Sequence, residues 1–206
     1  MNLIIFLVIS TAFLLAVEII KRKFLLSSSI TRRVSHAGAA LIAAVSPLFI
    51  DKNLIVFACF GFAGVMFISR RFTFLSSLHS IGRKTFGEVF LPLGEAVSAA
   101  IFLPQTVAAF QYGVLVMGLS DAFAGFVGEK YGRHQINIFN HRKSLEGSLT
   151  FFLTTLFLTF FFAPSFGFYL IFIPLTLTLV ELLLGYGADN LAIPILAAFL
   201  FLSYVH

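Results

Sequence analysis

Apolar residues run along this 206-residue chain in long blocks, separated by short polar or glycine-bearing segments. The blocks lie near 2–20, 35–50, 54–69, 88–103, 105–129, 147–163, 166–184 and 190–205. Runs of this length predict helices that cross a ~30 Å hydrocarbon layer. Several fall short of the usual ~20 residues, which leaves room for one re-entrant segment. The expected fold is an all-α integral membrane protein, a polytopic bundle of about 7–8 transmembrane helices in a single domain over 1–206. Segment 70–87 is polar and mixed, and predicts a short interfacial helix ending at Gly82 or Gly87. No internal repeat or low-complexity tract interrupts the pattern.

Composition agrees with a membrane domain. Hydrophobic residues make up 59% and charged residues 11%, with mean hydropathy +1.01, which excludes a soluble domain of this size. The 28 Phe and absent Trp read as lipid-facing filler. Cys59 is alone in an apolar run, so neither a disulfide nor a Cys-based metal site forms within one chain. The net charge of +5 does not imply a nucleic-acid partner, because the bases sit at helix ends. Residues 2–20 are read as a first transmembrane helix and not a signal peptide. Their basic cluster, Lys21-Arg22-Lys23, follows the apolar run, and no small-residue cleavage site precedes it.

Charge then orients the bundle. If the first helix runs inward, the inside segments 21–34, 70–87, 130–146 and 185–189 hold Lys21, Arg22, Lys23, Arg32, Arg33, Arg70, Arg71, Arg83, Lys84, Lys130, Arg133, Arg142 and Lys143. Of the 14 bases only Lys52 falls outside. This bias predicts a cytoplasmic active face, with both termini outside if there are eight spans. Glu88, Asp121, Glu129, Glu146, Glu181 and Asp189 lie at or near the same face.

Asp121 is the first candidate, because a carboxylate inside an apolar helix is costly in lipid without a partner. It either caps or pairs with a neighbour, or holds a cation brought by a phosphate-bearing ligand. Gly125 lies one turn on along the same face and lets a ligand approach the backbone. Glu129 lies about 12 Å along the axis, too far to share one Mg²⁺, and is expected to partner Lys130 or Arg133. Gly118, Ala122, Gly125 and Gly128 form a small-residue face that permits close helix contact, including a homodimer.

Four further elements accompany it. Arg142-Lys143-Ser144 precede a helix whose free N–H groups favour anions, although anchoring also explains bases here. Glu181, Asp189 and Asn190 bracket Gly185-Tyr186-Gly187; Asp189 either caps the last helix or shares an Mg²⁺ with substrate phosphates. Within Arg32-Arg33-Val34-Ser35-His36, His36 is a satisfied interfacial residue, a phosphate donor or a proton acceptor. Arg83 to Glu88 lead into a helix carrying Pro92 and Glu95, two acids within two turns that are not expected to face lipid. Walker, zinc-protease and protein-kinase signatures are absent.

Ser120 to Gly125, Gly128-Glu129-Lys130-Tyr131-Gly132 and Lys143-Ser144-Leu145-Glu146-Gly147 together resemble the polyprenol kinase family. That family comprises dolichol, phytol and CTP-dependent diacylglycerol kinases, and is related to phosphatidate cytidylyltransferases. Glu181 with Asp189 to Pro194, Arg33 to His36 and Gly87 to Pro92 are similar to its other elements, so the resemblance spans about 32–196. It implies a membrane enzyme that uses CTP and Mg²⁺ on a lipid alcohol: a polyprenol, a phytol-like alcohol or diacylglycerol. By the same resemblance Asp121 and Asp189 are metal ligands. Arg33, Lys84, Lys130, Arg142, Lys143, Ser144, Glu146 and Asn190 face nucleotide or phosphate. Asp121, Lys143 and His36 are catalytic, and Glu88, Gly125, Glu129 and Glu181 complete the polar site. The cytidylyltransferases carry His-Gly-Gly and Asp-Arg where this chain has Gly185-Tyr186-Gly187-Ala188-Asp189-Asn190, a departure that favours kinase chemistry. Cytidylyl transfer and a small transporter are the alternative expectations.

Overall fold

The computed structural model describes residues 3–72, 85–138, 141–165 and 167–205. Helices α1 (Leu3–Phe24), α2 (Ser28–Val45), α3 (Lys52–Phe72) and α4 (Gly87–Phe102) are followed by α5 (Val107–Leu115). A π-helical turn, Val116–Ser120, joins α5 to α6 (Asp121–Tyr131). The strands β1 (Gln135–Ile138) and β2 (His141–Ser144) precede α7 (Leu145–Phe162), α8 (Tyr169–Leu183) and α9 (Ala188–Val205). With α5 and α6 counted as one helix, each apolar block of the sequence corresponds to one helical segment. The fold is all-α apart from the hairpin.

Four segments, α1, α3, the continuous Val107–Tyr131 helix and α7, are long and apolar enough to cross a membrane; α8 and α9 are shorter apolar helices. Local chemistry sets their ends. Ser27 caps α2 by accepting the Ile30 N–H at 3.3 Å, and a 3₁₀ turn at Ser46–Leu48 carries Pro47 after it. Thr106 and Ser144 cap α5 and α7 in the same way. Basic side chains occupy the last turns of α1 and α3, where the helix dipole favours them.

The centre of the bundle is α5 and the π turn. Phe110, Tyr112, Val114, Val116 and Met117 are fully buried. Helix α9 packs on α4 and α5, α7 on α6, and α2 on α5 and the π turn. The Tyr112 hydroxyl meets Thr159 Oγ1 at 2.8 Å, and Thr155 Oγ1 donates to Ser120 Oγ at 2.9 Å. Such interhelical bonds each contribute around 1 kcal/mol in an apolar medium. By contrast α1 is peripheral and presents Ile4, Ile5, Val8 and Ile9 outward.

The segments read as cytoplasmic gather at one end. Arg70, ending α3, bonds Glu88 at the start of α4; Arg33 of α2 bonds Glu129 of α6; Lys143 of β2 bonds Glu181 of α8. Three local expectations change. Helix α2 begins at 28 instead of 35, because Ser27 caps it there, so Arg33 and His36 lie inside the helix. The loop 130–146 contains an antiparallel hairpin in which Gln135 pairs with Ser144 and Ile138 with His141. Gly87 opens α4, and the rest of the expected interfacial helix, residues 73–84, lies outside the described residues. The small-residue face of α6 is used within the chain: Gly118 abuts Ala40, and Gly128 abuts Ser144.

Close packing generates a stability prediction. A Cβ on Gly113 would lie 2.3 Å from the Pro194 carbonyl oxygen, whereas one on Gly64 would meet nothing within 4 Å. Gly113→Leu should therefore cost roughly 1–3 kcal/mol by overpacking, seen as a lower thermal midpoint in detergent. Gly64→Ala should leave the midpoint unchanged or raise it. Equal behaviour of the two variants would contradict the α5–α9 contact.

Candidate active site

The paired end of the bundle encloses a cleft of about 560 Å³ whose walls come from α2, α6, the hairpin, the start of α7 and the α8–α9 turn. Asp121, Gly125, Gly128 and Glu129 line it at i, i+4, i+7 and i+8, a single stripe along α6. The π turn sets that stripe. One extra residue per turn rotates everything after it by about 100°, so Asp121 leaves the packed core where α5 residues were buried.

Arg33 crosses Gly125. A Cβ there would sit 2.0 Å from the guanidinium Nε, so a larger residue would force the arginine to shift. The guanidinium then grips Glu129 through two 2.8 Å contacts and also bonds Ser29, while Ser29 Oγ donates to Glu129 at 2.5 Å. Glu129 thus pairs with an arginine 96 residues away and not with Lys130 or Arg133. The planar guanidinium matches a carboxylate fork, and that geometry prevails over sequence proximity.

On the opposite wall Lys143 Nζ contacts Glu181 Oε1 at 2.5 Å, bonds the Glu181 carbonyl, and lies 3.8 Å from Asp189. Asp189 Oδ1 accepts the N–H of Asn190 at 3.1 Å. Asn190 Nδ2 donates to the Gly87 carbonyl at 2.8 Å and ties α9 to α4. The turn between α8 and α9 places Tyr186 at φ +55° and Gly187 at φ +90°, and the Tyr186 carbonyl accepts the Phe86 N–H at 3.0 Å. Backbone held in this region clusters at ligand sites.

Arg33, His36, Asp121, Gly125, Glu129, Arg142, Lys143, Ser144, Glu181, Asp189 and Asn190 all line the one cleft. Ser144 accepts the Gly147 N–H at 3.1 Å, and a hydroxyl used as acceptor keeps its proton for a second partner. The first amide of α7, that of Leu145, is already bonded to the His134 carbonyl at 2.9 Å.

Three expected residues stand elsewhere. Glu146 follows the cap by two positions and turns away, taking the His134 ring at 2.8 Å. Lys130 is exposed and lies 5.2 Å from the Tyr131 ring, off the stripe of α6. Glu88 is buried against Arg70 at 2.8 Å, outside the cleft. Lys84 lies outside the described residues. Conversely Arg32 lines the cleft, with its Nε buried and lacking a hydrogen-bond partner. The doubled Arg32-Arg33 was the available signal, since two adjacent arginines on a helix cannot share one carboxylate.

Among the described residues no three His, Cys, Asp or Glu side chains form a ready metal cage. Asp121 and Asp189, both lining the cleft, are instead the sparse oxygen set suited to an Mg²⁺ that arrives with phosphates and keeps water ligands. The residues present fit that ion and not an all-protein site.

No family model matches the chain, and no solved structure matches it. The phytol kinase of Synechocystis sp. is 32% identical over 197 residues, covering 89% of this chain and 83% of the relative.

The Arg33–Glu129 contact predicts a coupled loss of stability. Removing one partner of a buried pair costs about 3–5 kcal/mol; with the Glu129 side chain 43% exposed, the expected cost is roughly 1–3 kcal/mol. Arg33→Met, Glu129→Gln and the double variant, compared by thermal unfolding in detergent, should show strong non-additivity. Additive losses would contradict a coupled Arg33–Glu129 pair.

Proposed function

The chain belongs to the polyprenol kinase family that includes the phytol kinases, and on that premise we propose that it transfers the γ-phosphate of CTP to a long-chain lipid alcohol. The transfer takes place at the cytoplasmic face of a membrane that the helices cross about eight times, with both termini outside. The observation that carries this reading is the cleft. It places Lys143, Arg32 and Arg142 with Asp121 and Asp189 at one end of an apolar bundle.

Phosphoryl transfer asks a protein chiefly for alignment and charge neutralisation. Asp121 and Asp189 would hold Mg²⁺, which supplies Lewis-acid charge at the phosphate oxygens. Arg32 and Arg142 bind the anionic donor. Neither has an ion-pair partner among the described residues, so neither must leave an acid to do so. Lys143 is held between Glu181 and Asp189 and moves a short distance from carboxylate to phosphate. Ser144 donates its remaining hydroxyl proton to the donor. His36 is 4% exposed, and its Nε2 has no hydrogen-bond partner, so it is free to accept the proton of an incoming alcohol. The alcohol oxygen bonds to the γ-phosphorus, the bond to the β–γ bridging oxygen breaks, and the nucleoside diphosphate departs.

Purified protein given γ-labelled CTP and phytol, dolichol, undecaprenol or diacylglycerol should label the lipid, with ATP as the comparison donor. Label arriving from the α-position instead would signify cytidylyl transfer. Asp121→Asn should lower the rate by on the order of 10²-fold or more. Unaltered phosphorylation by that variant would remove Asp121 from the site.

A further inference from the structure

A second cavity lies among α1, α2, α3 and α4, and nothing in the cleft chemistry accounts for it. Its volume is about 80 Å³, and its walls are largely apolar, with Phe6, Phe13, Phe62, Met66 and Leu91 among them. Four polar atoms nevertheless lie within the residues that line it: Ser10 Oγ from α1, Ser35 Oγ and His36 Nε2 from α2, and Glu95 Oε1 from α4. All four residues are more than nine-tenths buried, and none of these atoms has a hydrogen-bond partner among the described residues. Buried polar atoms are almost always paired in native structures, and one unpaired atom in apolar surroundings is costly. Four around one cavity, contributed by three helices, point to a ligand that carries its own hydrogen-bonding group on an apolar body.

His36 gives the cavity its direction, because it lines both this cavity and the charged cleft. We propose that the cavity holds the hydroxyl end of the lipid acceptor, with Glu95 and the two serines positioning the alcohol and His36 at the passage into the cleft. This inference rests on the lipid-alcohol kinase reading and adds the class of acceptor. The cavity is small and sits between helices, so it admits the first isoprenoid units of a single chain. A glycerol backbone bearing two acyl chains would enter it less readily. The rest of the chain extends into lipid beside α1, whose surface is mostly exposed and apolar. Glu95 is a positioning residue here, since it lies about two turns deeper along α4 than Glu88, which is already paired with Arg70.

Two measurements test the assignment. The first uses the full chain in lipid–detergent micelles, with phytol and CTP as substrates. Ala39→Phe, which fills the cavity, should raise the KM for phytol roughly tenfold or more and leave the KM for CTP unchanged. Glu95→Gln should raise the phytol KM less, and Glu95→Leu more. The second needs no variant: a phytol analogue with a photoreactive diazirine on its first isoprenoid unit should label peptides of α1, α2, α3 or α4, with excess phytol competing. Phosphorylation with an unchanged phytol KM in Ala39→Phe, or labelling confined to other helices, overturns the pocket and leaves the kinase reading intact. Competed labelling in the cavity without phosphorylation from any donor upholds the pocket and overturns the kinase reading. If Ala39→Phe no longer binds CTP and has not folded, the site of labelling on the unaltered chain decides. Preference for diacylglycerol over phytol overturns the single-chain class.

Discussion

A charged side chain near hydrocarbon must find an opposite charge, and the structure depends on how that requirement is met. Arg70 with Glu88, Arg33 with Glu129 and Lys143 with Glu181 join α3 to α4, α2 to α6 and the hairpin to α8. Asn190 adds a neutral tie from α9 to α4. Apolar packing alone does not fix one register of helices in lipid, because a lipid tail is as apolar as a leucine. The pairs, together with glycine contacts such as that of Gly125 with Arg33, specify which helix ends meet. They also prevent the ends from closing completely, and the remaining space is the cleft.

Pairing divides the polar residues into two groups. Arg33, Glu129, Arg70 and Glu88 satisfy one another and act as framework. Arg32, Arg142, His36 and Asp121 face open space, and Lys143 stands between the groups because its carboxylate partners also line the cleft. A lysine held by two acids is neutralised by them. On the proposed reading, a cation on these carboxylates and a phosphate at Lys143 would relieve the same ion pair, so each would favour the other's binding.

Much of this was legible along the chain. Hydropathy located the helical segments, and the asymmetry of basic residues indicated which ends meet. The spacing of Asp121 and Gly125 identified one face of α6. Glu88 and Glu95 both proved to be buried, as two acids in an apolar helix require. What stayed hidden depends on geometry that residue patterns do not encode. Strand β2, His141-Arg142-Lys143-Ser144, carries no apolar alternation, and that of β1 lasts only four residues, so the hairpin looks like a loop. The π turn has no compositional signature. The Arg33–Glu129 pair spans 96 positions, while Lys130 and Arg133 are nearer in sequence and farther in orientation. Glu146 belongs to a recognisable motif, yet the cap at Ser144 directs it away from the cleft and toward His134.

On the proposed reaction, two cavities of opposite character meeting at one histidine would answer a problem that a soluble donor and a lipid acceptor impose together. The donor cannot enter hydrocarbon, and the acceptor does not leave it, so the reacting atoms meet only at the boundary. A site on the bundle's surface would expose the alcohol to water, which competes as a nucleophile. A site wholly within the bundle would have to desolvate a triphosphate. Placing charged residues on one side of His36 and apolar residues with unpaired hydroxyl and carboxyl oxygens on the other lets each substrate remain in its own medium. On the proposed reaction the acceptor hydroxyl is the one group that would have to cross, and it would do so at His36.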